Sequence, residues 1–220
     1  MNPFSEELKN HTVAAHEHAE QAGFVTELLA GRMDASQVGA MLLQNLVIYR
    51  ALETALEANK DPRLEAFADP ALMRVQALEQ DLAVHYGDDW EQQLASGELH
   101  VTPGATAYAD ELAALGPASA TYLMAHHYVR YLGDLSGGQI ISALVQRHYG
   151  LGPEGLNFYA FDGIGKIKPY KDAYRSHLDE AEFSDDEKQE ILHHAVVAFE
   201  TNRQVFVDLM QQYSQSSSRL

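Results

Sequence analysis

Apolar positions recur at three- and four-residue spacing through nearly every long segment, the period of helices with one buried face. Leu8, Val13, Ala15 and Ala19 open the pattern. Met41, Leu42, Leu46, Tyr49, Leu52 and Leu56 carry it on, and Val196, Phe199, Val205, Phe206 and Leu209 close it. Alternation of period two is scarce, so no sheet is expected. Asp34 with Gln37 resembles a capping box opening a helix that runs to about Asn59, and Ser184 with Glu187 is a full box opening the last helix. Pro3, Pro70, Pro103, Pro117 and Pro169 fit first helical turns; Gly31, Gly87 and Gly150 fit helix stops. Pro117 to Tyr149 reads as one long, bent helix. No linker or internal repeat stands out. The pattern predicts a single all-α domain over residues 1–213, a bundle of seven or eight helices, with 214–220 (SQSSSRL) as a disordered tail.

Composition narrows the chemistry. The 220 residues suffice for one domain with a sizeable core. Fifteen basic against 32 acidic residues give a net charge of −17, which disfavours nucleic acid and anionic lipid as partners. The absence of cysteine removes disulfide scaffolds, zinc ribbons, iron–sulfur sites and thiol nucleophiles. No apolar run approaches the ~20 residues of a membrane span. The start, MNPFSEELKN, lacks the regions of a signal peptide. A cytoplasmic, membrane-free monomer is expected.

Three stretches break local rules. In YLGDLSGGQ, Tyr131–Gln139, three glycines interrupt a helical pattern at about 1 kcal/mol each relative to alanine. Gly133 and Gly137 share a helix face, so bare backbone is offered to something flat, or to a bend. Asp134 lies beside them, where an ionisable group must be paired, hydrated or functional. A plain helix–helix crossing with Asp134 in solvent is the alternative. In TVAAHEHAE, Thr12–Glu20, His16 and Glu20 stand four apart; the carboxylate could hold the Nδ1 proton and leave Nε2 for a metal. A histidine such as His16, taken alone, is more often a surface or core residue than a ligand. In KIKPYKDAYR, Lys166–Arg175, four basic residues form an island in an acidic chain, and Lys171 and Arg175 would reach one spot. Pairing with the acidic run that follows is the alternative there. A flat ligand, carrying a metal and anionic at one edge, would use all three features, and haem has these properties.

The residues now point to a family. The chain resembles the haem oxygenases, especially the soluble bacterial enzymes of haem iron acquisition. The resemblance is carried by HHYVRYLGDLSGGQ at His126–Gln139, continuing to Gly150, by AHE at Ala15–Glu17, by FYAFDGIGKIKPYKDAYR at Phe158–Arg175 and by AFETNRQVFVDL at Ala198–Leu209, within about residues 6–210.

The resemblance implies a haem oxygenase-type bundle, with haem b held between a proximal N-terminal helix and a glycine-kinked distal helix. It implies cleavage of haem, both substrate and cofactor, to biliverdin, CO and ferrous iron, with O2 and electrons from a reductase, ferredoxin or flavodoxin-type donor. His16 would ligate the iron, with Glu20 behind it. Gly133 and Gly137 would face the distal side. Asp134 would anchor a water network there, with Tyr49, Arg130 and Asn202 at matching positions. Lys9, Tyr128, Lys171 and Arg175 match propionate contacts; Phe199 and Phe206 match residues packing around the ring. The membrane anchor of the mammalian enzymes is not expected in this chain. A haem carrier or sensor would share His16 and the basic island, but needs no carboxylate inside GDLSGG. A di-iron oxidase is disfavoured because only one E-x-x-H, Glu190 to His193, is present. No Ser–His–Asp arrangement supports a hydrolase.

Overall fold

The computed structural model describes residues 2–217. Among them lie ten α-helices and no strand: α1 Phe4–Glu20, α2 Gly23–Leu29, α3 Ser36–Ala58, α4 Val75–Tyr86, α5 Trp90–Ser96, α6 Pro103–Leu115, α7 Ala120–His127, α8 Gly133–Tyr149, α9 Ile167–Glu180 and α10 Asp185–Ser217. The count exceeds the expected seven or eight for two physical reasons. Helices α2 and α5 have seven residues each, too few for a period of 3.6 to register. The long segment, expected from Pro117, is a continuous rod only from Ala120, because Pro117 lies in a separate 3-10 turn and Ser119 is extended, and a π turn at Tyr128–Leu132 divides α7 from α8 immediately before Gly133. No described helix is long and apolar enough to cross a membrane.

The core is built around α3, which packs on α6 and α4, and α10, which packs on α1, α7 and α6. Burial on nearly all sides explains the apolar composition of α3, where Val38, Leu42, Leu46, Ile48, Tyr49 and Leu52 are fully buried. Helix α1 buries the stripe Phe4, Leu8, Ala15 and Ala19 on its neighbours. Val13, expected in that stripe, is instead exposed, because it lines a cleft.

Local signals vary in how they are realised. The Ser184 box forms: its N–H donates to Glu187 Oε2 at 2.8 Å and its Oγ accepts from the Glu187 N–H at 3.3 Å. The Asp34 box does not. Helix α3 begins at Ser36 after Ala35, and Asp34 contributes only its backbone carbonyl, to the Gln37 N–H. Pro103, Pro117 and Pro169 lie in first turns, and Pro3 directly precedes α1. Pro70 lies in a turn instead, because the Asp69 carboxylate accepts the Ala71 N–H at 2.9 Å and closes the chain there. Gly31, Gly87 and Gly150 stop helices with φ of 70°, 89° and 65°. Residues 214–217, expected in the tail, continue α10, with the Ser214 hydroxyl donating to the Met210 carbonyl at 2.9 Å; 218–220 lie outside the described residues.

Candidate functional site

A cleft opens between α1 and the α7–π–α8 rod, with α10 at its back. It has an outer lobe of about 380 Å³ and an inner lobe of about 160 Å³, which share His16, Glu20, Val129, Gly133 and Phe199. Lys9, Tyr128 and Arg175 line the outer lobe; Arg130, Asp134, Gly137, Asn202 and Phe206 line the inner one. Tyr49 reaches the site through its hydroxyl on Asp134, and Lys171 closes the rim through Ser136.

On the α1 side, the His16 ring stands edge-on to Phe199, with centroids 5.4 Å apart and planes at 89°. Helical spacing brings Glu20 to it, but the nitrogen it meets is Nε2, at 3.6 Å. The expected Nδ1 contact is therefore not the one formed. Side chains on a helix lean toward its N-terminus, so Glu20 reaches the far tip of the ring, while Nδ1 stays close to its own backbone. The ring is half exposed, at 49%. His18 pairs with Glu200 at 2.9 Å, both half exposed.

The rod side is built differently. The π turn and the first turn of α8 present Arg130, Gly133, Asp134 and Gly137 together. A methyl placed on Gly133 or Gly137 meets nothing within 4 Å, so both glycines face open space. Gly138 has another purpose: its Cβ would lie 3.0 Å from the Tyr159 ring. Asp134 accepts a short hydrogen bond from the Tyr49 hydroxyl. The Arg130 guanidinium lies 4.9 Å over the Tyr49 ring and donates to Asn202 Oδ1 at 2.5 Å and Asn45 Oδ1 at 2.8 Å. Burial raises the Asp134 carboxyl above its ordinary range, against the opposing pull of Arg130, the Tyr49 hydrogen bond and Arg74. Burial and the Asp134 charge together hold the Tyr49 phenol well above its usual value. The result is a carboxyl held above its ordinary range, beside open backbone.

At the rim, Lys171 Nζ donates to Ser136 Oγ at 2.6 Å, bridging α9 to α8. Burial first, then Arg175 and Lys9, lower its ammonium pKa, which shows three cations gathered at one edge. Arg175 also meets Asp172 at 3.1 Å, on an exposed surface where such a pair contributes little.

Several site residues escaped the sequence reading. Asn45, beside Gln44 in the otherwise apolar run AMLLQNLVIY, is the second anchor of Arg130. Phe158 and Tyr159 wall the inner lobe. Their segment is pinned by buried Asp81, which accepts the Asn157 and Phe158 N–H groups at 2.6 and 2.8 Å, and by Arg74, which donates to the Phe158 and Ala160 carbonyls at 3.3 and 2.7 Å. An ionisable residue among the apolar positions of α4, Asp81 between Leu78 and Leu82, was the available signal. His126 and His127 are fully buried, and no group of three or more His, Asp or Glu among the described residues could hold a metal ion.

The all-helical bundle thus holds a cleft with a histidine on one wall, bare backbone and a half-buried carboxyl on the other, and cations at the edge. Comparison with known proteins agrees. The "Heme oxygenase" family model matches residues 2–208. A haem oxygenase of Takifugu rubripes is 36% identical over 211 residues, covering 94% of this chain and 74% of that protein. Human haem oxygenase 1 is 34% identical over 211 residues, covering 94% and 72%. Among solved structures, haem oxygenase-1 of the cyanobacterium Synechocystis, in complex with haem, superposes with a TM-score of 0.90 at 30% identity, covering 99% and 96%. That of Leptospira interrogans gives 0.85 at 30% identity, covering 94% and 99%. The chain belongs to the haem oxygenase family.

Proposed function

We propose that the two-lobed cleft holds haem between α1 and the rod, with His16 as the iron ligand. As a haem oxygenase the chain is an enzyme that cleaves haem oxidatively to biliverdin, CO and ferrous iron, haem being both substrate and cofactor. The observation that carries the site assignment is the open face of Gly133 and Gly137 beside Asp134, across the cleft from His16. The residues present suit the ring: a side chain at either glycine would project into the space it needs.

Bound haem supplies the oxygen chemistry, and the protein decides its outcome by position and proton supply. His16 would hold the iron through Nε2, the ring turning so that Glu20 meets Nδ1 and keeps the tautomer fixed. Phe199 and Phe206 would bear on the ring from α10. Lys9, Tyr128, Lys171 and Arg175 would hold the carboxylate edge and so fix the rotation of the ring, which selects the carbon presented to oxidation. Gly133 and Gly137 would leave room on the distal face and crowd whatever binds there to one side. Asp134, raised by burial, would hold and release a proton through water. Tyr49, Arg130 and Asn202 would keep its carboxyl in one place. Electrons come from outside the chain; we assign them to a reductase, ferredoxin or flavodoxin-type donor, and read the enzyme as a cytoplasmic monomer.

The test is optical. Purified protein titrated with hemin should give a saturable one-to-one Soret band that decays into a biliverdin band when ascorbate or a reductase is added under air. A Soret band that survives both would leave a haem carrier, and would remove Asp134 from its role as proton source.

A further inference from the structure

The connection from α8 to α9 has little regular structure, only three short 3-10 turns at Pro153–Gly155, Asn157–Tyr159 and Asp162–Ile164. Connections of this kind are ordinarily the mobile parts of a fold. Here the part that faces the cleft is held at every backbone polar group from Phe158 to Ala160. The Phe158 N–H donates to Asp81 Oδ2 at 2.8 Å, the Tyr159 N–H to the Leu156 carbonyl at 3.1 Å and the Ala160 N–H to the Asn157 carbonyl at 2.9 Å. The three carbonyls are taken as well. Arg74 donates to those of Phe158 and Ala160 at 3.3 and 2.7 Å, and Gln139 Nε2 donates to that of Tyr159 at 2.7 Å.

The anchors come from two sides. Asp81 on α4 is fully buried, and its Oδ1 also accepts the Asn157 N–H and Nδ2 at 2.6 and 2.8 Å. Burial raises its carboxyl above the ordinary range, against the pull of the Phe158 and Asn157 N–H groups. A buried carboxylate is costly unless hydrogen-bonded, and its three donors all belong to Asn157 and Phe158, so holding that turn is what it does. Gln139 belongs to α8, the helix that carries Gly133, Asp134 and Gly137. Beside it, Gly138 lets the Tyr159 ring come within 3.0 Å of where a Cβ would stand. Phe158 lies edge-on to Tyr49, with centroids 5.6 Å apart and planes at 67°. The two rings that line the inner lobe are thus fastened both to α4 and to the helix of the open glycines.

We propose that Asp81 and Gln139 are positioning residues for the reaction: they fix Phe158 and Tyr159 as a stop that sets how far the ring enters the inner lobe, and with it which edge carbon stands beside Gly133, Gly137 and Asp134. The proposal rests on the reading of the cleft as the haem site. The cations at the rim act on the ring from the outer lobe and set its rotation; the stop sets its depth. Either constraint alone leaves the ring free to slide or to turn. A stop that yields by a fraction of an ångström lets neighbouring carbons compete for the same place. Neither Asp81 nor Gln139 lines the cleft, so both act through the turn they hold.

Hydrogen exchange of the haem-free protein reads the clamp directly. The Phe158, Tyr159 and Ala160 amides should exchange as slowly as those of α4. Asp81→Asn keeps the shape but turns an NH2 toward one of the two backbone N–H groups. It should speed exchange of the Asn157 or Phe158 amide by about tenfold or more and leave α3 unchanged. Gln139→Leu removes the second anchor at an exposed position, and decides alone if Asp81→Asn does not fold. Both variants should bind hemin one-to-one. With reductant under air they should give a second biliverdin isomer where the wild type gives one, and kcat should fall about 3- to 10-fold with KM unchanged. Leu112→Ala, which opens a cavity in the core of α6 instead, should keep the wild-type isomer. Exchange of 158–160 at the rate of open loops, an unchanged single isomer in both variants, or the same mixture from Leu112→Ala overturns the stop. Wild-type hemin affinity in Gly137→Leu would instead overturn the reading of the cleft on which it stands.

Discussion

The two walls of the cleft are built on opposite principles. On α1, His16 and Glu20 are exposed side chains that meet loosely at 3.6 Å. On the rod, Tyr49, Arg130, Asp134, Asn45 and Asn202 lock one another through short hydrogen bonds and a stacked guanidinium, largely out of water. A wall that only has to offer a lone pair can remain adjustable until the ligand arrives. A wall that has to place a proton must be fixed beforehand, because misplacement by an ångström is costly to rate. If the walls carry the proposed roles, binding and chemistry in this cleft should be separable by mutation.

The sharpest way to break the comparison is Asp134→Ala. Haem affinity should stay within a few-fold, while biliverdin formation falls by about 100-fold or more, as for loss of a positioned proton donor. Absorbance spectra before and after reductant read both quantities. Equal losses of binding and turnover would merge the two walls into one.

Stability should divide in the same way. Arg130→Leu leaves the Asn45 and Asn202 carbonyls without their donor and should cost about 1–3 kcal/mol for each in denaturant unfolding. Glu20→Gln on the loose wall should stay within about 0.5 kcal/mol. The glycines sharpen the point. Gly138→Ala pushes a methyl to 3.0 Å from the Tyr159 ring and should destabilise by about 1–3 kcal/mol. Gly137→Leu meets no protein atom at its Cβ, so it should fold normally yet bind hemin poorly.

Acid should act through the rod's buried histidines. Burial depresses both His126 and His127 to about 3. Between that value and about 6.5 the unfolded chain binds two protons that the native chain does not, so stability rises with pH and is lost as pH falls through this window. Asp134, Glu53 and Asp81 work the other way, since burial raises their pKa values and makes the native state the better proton binder above the ordinary carboxylate range. His127→Gln should flatten the fall of Tm between pH 6.5 and 4; an unchanged slope would show that His127 does not carry it. The smallest effect belongs to the rim: Lys171→Ala should weaken hemin binding by up to about fivefold, the scale of an exposed ion pair.

How much was legible in the sequence follows from which interactions are local. Helical spacing alone placed His16 with Glu20 and Gly133 with Gly137, and the Ser184 box formed as read. The all-α class followed from period, and the family resemblance extended the site to Tyr49, Arg130, Asn202 and the cations at the rim. Contacts between distant segments were not legible. Nothing local tells that Asn45 meets Arg130 across 85 positions, or that Asp81 pins Phe158 across 77. The Nε2 contact of His16 was missed because spacing fixes which side chains meet, not which atom of a ring. The π turn was missed because its residues are buried all round and show no period to disturb.

The most direct test of the two-walled cleft is the crystal structure of the hemin complex. Iron should sit on His16 Nε2, with the Glu20 carboxylate moved to the Nδ1 side, and Gly133 and Gly137 should lie against the opposite face with Asp134 unmoved. Iron held by another residue, or a ring seated away from those glycines, would contradict it.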